Sequence, residues 1–435
     1  MAQSTSHSSS VGSEELLFHT PMGDAVYFAR EAMIISFAGR RGVVSSSNLN
    51  GGYRNDLHSV FNHSVGRDPN ILQKRCPGLK GANIIEHYAV IASELGLDPE
   101  HTTGMGTAAL IENHARAERT YHGVTVQAIA TAGIDVNGGR AGDKASYDEF
   151  EQRSLLPPPG TINVFLFIDA YLDPGALTRA LITATEAKTV ALQELMAPSR
   201  YSEGLAMGSG TDSLIAVCNE ESPVVLYGAG KHVLLGEMIG QSVKEAVTKA
   251  LDRQSGMNAQ RQSSFLQQGI RYGLGVEELL ALYQARYPEV SRDAATLRRG
   301  LQRLATDSHL SASIASILHL VDQWRWGLIS WASLIDLSQY TLSYIAQRYR
   351  LDSCELSISR EEATRYELLL DELRQLLLQL LDRESGHLYI YIYNQLVYIF
   401  TFNESNYEES IVPSCSDSSS DGCSSDRKYR QHLHA

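Results

Sequence analysis

TINVFLFID (161–169) runs almost directly into DPGALTRALITATEAKTVALQEL (173–195), and these two stretches decide the fold class. The first is an apolar, partly β-branched run of strand length, starting at Thr161 and ending at Asp169, and reads as a buried strand. The second has helical periodicity. Asp173 is placed to accept from the free N–H groups of the first turn, and Pro174 takes the first helical position, where its missing N–H costs nothing. Working outward, AMIISFA (32–38), GVVSSS (42–47), VTVQAIATA (124–132), DSLIAVC (212–218) and PVVLY (223–227) read as further strands. NIIEHYAVIASELG (83–96) sets Ile84, Tyr88, Ile91 and Leu95 on one helical stripe, with Asn83 as its cap and Gly96 as its stop. LLGEMIGQSVKEAVTKALDR (234–253) reads as a second long helix. Interleaved strands and helices predict an α/β fold, a mixed sheet covered by helices.

The composition changes near residue 255. Beyond it the chain reads as mainly α-helical, from FLQQGIRYGLGVEELLALYQARYP (265–288) to SREEATRYELLLDELRQLLLQLL (359–381). The latter opens on a capping box of Ser359 and Glu362 and carries Leu369, Leu373, Leu376 and Leu380 on one face. HLYIYIYNQLVYIFTF (387–402) reads as a β-hairpin around Asn394 and Gln395, and the tail beyond it is too polar to offset its chain entropy by burial. The expected divisions are a flexible N-terminus (1–17), a catalytic domain (18–254), a mainly helical accessory domain with a terminal hairpin (255–402) and a disordered polar tail (403–435). The helical part shows no catalytic spacing and reads as a packing or homo-oligomerisation module. The tryptophans of WRWG and Trp331 read as core rather than as a ligand shelf.

Composition excludes several classes of function. With 37 Lys+Arg against 50 Asp+Glu, the net charge of −13 argues against a nucleic-acid binder, which would present a basic patch to phosphates. No run approaches the roughly 18 apolar residues of a membrane span, and residues 1–15 lack the basic end and apolar core of a secretory signal. Five scattered cysteines give neither a disulfide framework nor a zinc cage and fit a reduced compartment. The expectation is a cytoplasmic protein with no membrane or nucleic-acid partner and no bound metal.

Polar and glycine-rich segments at strand ends carry the candidate chemistry. In SSSNLNGGYRND (45–56) and FNHSV (61–65), Gly51 and Gly52 would let backbone approach a ligand that Asn50, Asn62 and His63 orient; the plain alternative is a turn with a solvated histidine. TAGIDVNGGRAGD (131–143) adds Asn137, Arg140 and Asp143. AMGSGTDSLIAV (206–217) places Gly208 and Gly210 where successive N–H groups could meet an anion, with Thr211 and Asp212 beside them. It is not a P-loop, nor is YGAGKHVLLGE (227–237), which contains His232. In the helix after Asp173, Glu186 is either a solvated face residue or a carboxylate facing a cleft; Lys188, two positions on, points elsewhere.

Taken together and in this order, NLNGG with FNHSV, TAGIDVNGGRAGD, GTINVFLFID, TATEAKTVALQEL, GSGTDSLIAV and YGAGKHVLLGEMIGQSVKEAV resemble the adenosylcobinamide amidohydrolase family of corrinoid salvage, over roughly residues 18–253. The resemblance implies hydrolysis of the amide between the corrin side arm and aminopropanol, giving adenosylcobyric acid. The corrinoid is then a substrate, with no resident cofactor. Asparagine- and glycine-rich loops suit the amide-studded rim of a corrin, which would assign Asn50, Gly51, Gly52, Asn62, Asn137, Asp143, Gly208 and Gly210 to substrate binding. Amide hydrolysis needs a nucleophile, donors for the oxyanion and an acid for the departing amine. The preferred arrangement is attack by water with Asp212 or Glu186 as base. Backbone N–H groups near Gly208 and Gly210, helped by Asn137, would hold the oxyanion, and His63 or His232 would act as the acid. An acyl-enzyme through Thr211 or one of Ser45, Ser46 and Ser47 competes with it. Self-cleavage at Gly160–Thr161, freeing an N-terminal threonine, ranks third. A non-catalytic corrinoid-binding or delivery module, and an amidase for a different amide, stay open.

Overall fold

The computed structural model describes residues 15–64, 80–145, 147–148, 150, 153–154, 160–290, 292–351 and 366–386. Residues 1–381 form one compact unit and 382–435 a second. The capping box at Ser359 and Glu362, the hairpin 387–402 and the tail 403–435 lie outside the described residues.

Among the described residues, eleven strands of three or more residues form two sheets. They are β1 (Glu15–His19), β2 (Ala25–Ala29), β3 (Ala32–Ser36), β4 (Arg41–Ser45), β5 (Gly52–Arg54), β6 (Ser59–Ser64), β7 (Thr102–Thr107), β8 (Ala115–Tyr121), β9 (Val124–Gly133), β10 (Thr161–Ile168) and β11 (Ser213–Asn219). One sheet runs β1-β2-β3-β6-β7 and the other β5-β4-β11-β10-β9-β8. Only β6/β7 and β10/β11 pair in parallel within them; the remaining neighbours are antiparallel. Of PVVLY, only Val225–Leu226 pairs, with Tyr171–Leu172; Pro223 has no N–H to give a ladder.

Three helices complete four layers: α1 (Ile84–Glu94), α2 (Pro174–Glu194) and α3 (Leu234–Ser255). The caps form as the sequence requires. Asn83 accepts from Glu86 N, and Asp173 accepts from Gly175 N and Ala176 N ahead of Pro174. Strand β10 is buried along its whole length, which is why it reads as an unbroken apolar run. Its even-numbered residues, Ile162, Val164, Leu166 and Ile168, pack with α2 and α3. Phe165 and Phe167 point the other way, into a core shared with Val26, Met33, Val60 and Met105 of the five-stranded sheet. Each phenylalanine stabilises the layers by roughly 1.5–3 kcal/mol. Phe61, Ile34, Ile91 and Leu95 close the outer layer between that sheet and α1.

Past α3 the described chain is helical: α4 (Ala259–Gln262), α5 (Phe265–Gln268), α6 (Val276–Arg286), α7 (Ala294–Thr306), α8 (Ser308–Arg325), α9 (Trp331–Tyr349) and a helix over 366–386. Left-handed Gly273, at φ +68°, ends the short 3-10 turn after α5 and breaks 265–288 into pieces. Leu369, Leu373, Leu376 and Leu380 are buried together as their spacing predicts. Trp331 is core and Trp324 packs edge-on against it at 5.2 Å, whereas Trp326 is half exposed. Within this core Arg271 makes two bonds to Asp322, at 2.7 and 2.6 Å, and Tyr272 Oη donates to the same carboxylate.

The helices are tied to the loops that follow β9 and α2. Arg261 reaches Asp135 at 2.5 Å, and Gln262 Nε2 donates to Leu195 O. Glu203 receives Arg325 at 2.6 Å and Tyr366 Oη at 3.1 Å, while its carbonyl accepts from Arg271.

Candidate active site

The layer between the sheets changes from apolar to polar at the start of β10. Thr161 and Asn163 share the face of Phe165 and Phe167, because strand side chains alternate. Asn163 Nδ2 donates to Asn62 Oδ1 at 2.8 Å and to Gly106 O at 2.9 Å, and Asn62 Nδ2 donates to Thr131 Oγ1 at 2.9 Å. That fixes the Asn163 amide so that its oxygen faces Thr161 Oγ1 at 3.4 Å, while the hydroxyl donates to Thr211 O at 2.8 Å. Asn62, Thr131, Thr161 and Asn163 are all buried.

One residue upstream, the carbonyl oxygen of Gly160 accepts from two side chains, Asn137 Nδ2 at 2.6 Å and Thr211 Oγ1 at 3.0 Å. These are donors of the kind and at the distance that stabilise an oxyanion. Only glycine fits at position 160, since a Cβ would lie 2.3 Å from Asn137 Oδ1 and 2.8 Å from Gly133 O. Asn137 is itself buried, and its Oδ1 has no hydrogen-bond partner among the described residues. Its loop is braced against the loop before β11, where Gly139 N donates to Gly208 O and Met207 N to Gly139 O.

That second loop ends in a buried ion pair. Lys188 projects from the apolar stripe of α2 and donates to Asp212, both side chains being less than a tenth exposed. Asp212 also accepts from Ile162 N at 2.8 Å, Ser209 N at 3.0 Å and Ser209 Oγ at 2.7 Å. Gly208 passes over the pair, and a Cβ there would lie 2.0 Å from Asp212 Oδ2 and 2.6 Å from Lys188 Nζ. The result is a clamp joining α2, the first amide of β10 and the loop that presents Thr211.

Against known proteins, residues 17–259 match the family model described as adenosylcobinamide amidohydrolase. The chain belongs to that family. An uncharacterized protein of Methanocaldococcus jannaschii is 32% identical over 247 residues, which cover 54% of this chain and 91% of that protein. Among solved structures, a Burkholderia beta-aminopeptidase is similar at 14% identity and TM-score 0.25, covering 55% of this chain and 82% of that one. The PH0078 protein of Pyrococcus horikoshii is similar at 13% identity and TM-score 0.25, covering 55% and 81%.

The structure therefore brings together Asn62, Asn137, Gly208, Thr211 and Asp212 from the residues singled out in the sequence. Others lie apart. Glu186 is exposed on α2 and pairs with Lys231 at 2.8 Å, and His232 is exposed on the turn before α3. His63 faces the α1 side of its strand, opposite to Asn62. Burial, with help from the Lys80 and His87 charges, pulls its pKa down to about 4. The Asn50 amide is spent on Pro99 O, Thr102 O and Arg54, with Gly51 too close to Ser47 O for any side chain and Gly52 at φ +81°. Asp143 braces its own loop through Arg140 N and Ser199 Oγ; burial raises its pKa, but those bonds and one from Ser202 outweigh it and hold the carboxyl low. Gly210 is exposed. Ser45 pairs with Thr103, Ser46 with Ser213, and Ser47 donates to Gly104 O, with no imidazole or carboxylate beside them among the described contacts.

Lys188, Asn163, Thr131 and Ser209 were not among the sequence candidates. Lys188 stands four residues after Ala184 and three before Ala191, on the stripe that becomes buried. Asn163 and Thr161 are the polar residues of TINVFLFI and lie two apart, hence on one face. Among the described residues no group of three or more His, Cys, Asp or Glu could hold a metal ion, and no helix is long and apolar enough to cross a membrane.

Proposed function

We propose that this chain hydrolyses the amide joining the corrin ring's propionyl side arm to aminopropanol in adenosylcobinamide, releasing adenosylcobyric acid. The corrinoid is substrate, and the protein brings no cofactor of its own. Family membership supports the substrate. The observation that carries the chemistry is the convergence of Asn137 Nδ2 and Thr211 Oγ1 on one amide-type carbonyl oxygen, beside a buried and oriented hydroxyl.

In the reaction these two donors would grip the carbonyl oxygen of the scissile amide and strengthen as it becomes an oxyanion. Losing one donor of this kind costs about 10²–10³ in rate. Asp212 acts by position rather than as a base: a carboxylate has about four lone-pair sites, and Lys188, Ser209 twice and Ile162 N already fill them. The clamp keeps Thr211 and the start of β10 in register.

The test is mass-resolved product analysis of the full chain incubated with adenosylcobinamide and with its phosphate, beside a heat-denatured control. Adenosylcobyric acid is the expected product. Corrinoid binding without product from folded protein would replace the reading with a binding or delivery module. Hydrolysis of a simple peptide amide, with cobinamide untouched, would replace it with another amidase.

A further inference from the structure

The carbonyl held by Asn137 and Thr211 is the chain's own, and the residue after it is a threonine. We infer that the Gly160–Thr161 peptide bond is a self-cleavage site and that the freed Thr161 is the nucleophile of the hydrolase. The cleavage rests on geometry alone, whereas the nucleophile's role rests on the amide-hydrolase reading above.

Four observations converge on this bond. First, the Gly160 oxygen is gripped by two side-chain donors at 2.6 and 3.0 Å, an arrangement suited to a carbonyl on its way to a tetrahedral oxyanion. Second, Gly160 packs so closely on Asn137 and Gly133 that no side chain fits there, which holds its carbonyl in place against the Asn137 donor. Third, the Thr161 hydroxyl is buried and oriented: it donates to Thr211 O at 2.8 Å, and Asn163, held by Asn62 and Gly106 O, turns its amide oxygen toward it at 3.4 Å. Burying amides costs free energy unless their groups are bonded, and Asn62 completes this network by donating to Thr131 Oγ1. Fourth, Pro157, Pro158 and Pro159 precede the bond. They have no N–H to extend a ladder, so a cut before Thr161 leaves β10 whole, from Thr161 opposite Gly133 to Ile168 opposite Val126.

The cleavage proceeds in two balanced steps. Thr161 Oγ1 adds to the Gly160 carbonyl carbon, the C–N bond breaks, and the hydroxyl proton ends on the departing Thr161 nitrogen, leaving an ester. Water then adds to that ester and the C–Oγ1 bond breaks. One proton restores the hydroxyl and the other passes to the new α-amine, leaving Gly160 as a carboxylate. Once that carboxylate moves away, Asn137 and Thr211 are free to hold a substrate amide. The Thr161 α-ammonium first gives a proton to water; the free α-amine then takes the proton of its own hydroxyl, Oγ1 attacks the amide carbon, and that proton is handed to the leaving aminopropanol nitrogen. Water releases the acid from the second ester.

Intact-mass measurement and N-terminal sequencing of the purified full-length chain test this, alongside Thr161→Ala, Thr161→Ser and Asn137→Ala, each checked for folding by circular dichroism. The expected result is two polypeptides, 1–160 and 161–435, eluting together, with a new N-terminal threonine. Thr161→Ala should stay whole, Thr161→Ser should still cleave, and Asn137→Ala should cleave on the order of 10²–10³ more slowly. An intact wild-type chain that turns over adenosylcobinamide overturns the inference and leaves the proposed function standing. A cleaved chain that leaves cobinamide untouched does the reverse for the substrate. Cleavage undiminished in Thr161→Ala, or a folded wild-type chain that stays whole and inactive, also overturns it.

Discussion

The layered region and the helical region bury polar groups in opposite ways. In the helices the main buried charge is the Arg271–Asp322 pair, closed off by Tyr272 and directed at a backbone carbonyl of the neighbouring loop. It works as a cross-link. In the layers, besides the Asp24–Arg41 cross-link, buried Asn62, Thr131, Asn137, Thr161 and Asn163 and the Lys188–Asp212 side chains gather at one end of the sandwich, around a peptide carbonyl and a hydroxyl. One acceptor there, on Asn137, has no partner among the described residues. Equal burial thus serves two ends, and what separates them is where the hydrogen bonds point.

Truncating one member of the Lys188–Asp212 and of the Arg271–Asp322 pair should show the contrast most strongly. Lys188→Ala and Arg271→Ala should each lower stability by about 3–5 kcal/mol, read from urea midpoints, because a buried charge loses its partner. At temperatures where both variants stay folded, only Lys188→Ala should also abolish turnover. Equal losses of turnover would erase the distinction between the two pairs.

Asn137→Ala should cut kcat by about 10²–10³ with little change in the denaturation midpoint, and steady-state kinetics beside urea titration separates the two. A large stability loss with normal kcat would turn this residue into a packing element.

The pH response sharpens the comparison from a third direction. His63 is held neutral, its pKa lowered to about 4 by burial first and by Lys80 and His87 after it, with Glu94 opposing. A histidine with a lowered folded pKa favours the fold above its unfolded value of roughly 6.5. That contribution fades as pH falls through the window down to about 4. At pH 6 the loss is on the order of 1 kcal/mol, and His63→Gln should flatten it without altering turnover at pH 7. A drop in turnover at pH 7 would return His63 to the reaction.

Glu203→Gln should have the smallest effect, about 0–1 kcal/mol in a urea titration, because its side-chain partners are partly solvent-exposed.

Much of this was legible in the sequence because apolar periodicity and cap chemistry are local. TINVFLFID, Asp173–Pro174 and Asn83 announce their elements without reference to the rest of the chain. The site was legible only in part. Asn137, Thr211 and Asp212 could be picked out as polar residues at strand ends, but their partners come from elements far away in sequence. Lys188 was only a lysine pointing away from Glu186, since nothing nearby announces that Asp212 meets it from another loop. Conversely, His63 drew interest as a histidine, although alternation from Asn62 already sends it to the other face. The self-cleavage route, ranked last from sequence, gained most from the structure, because hydrogen bonds to a backbone oxygen leave no trace in residue types.

The antiparallel ladder between β9 and β10 joins strands on either side of residue 160. A cut there would leave two polypeptides sharing both the six-stranded sheet and the core beneath it. Unfolding such a molecule would separate them, and regaining the fold would become a second-order process that slows with dilution. The processed protein would then depend on kinetic persistence, since a chain that had folded once in a single piece could not retrace that path.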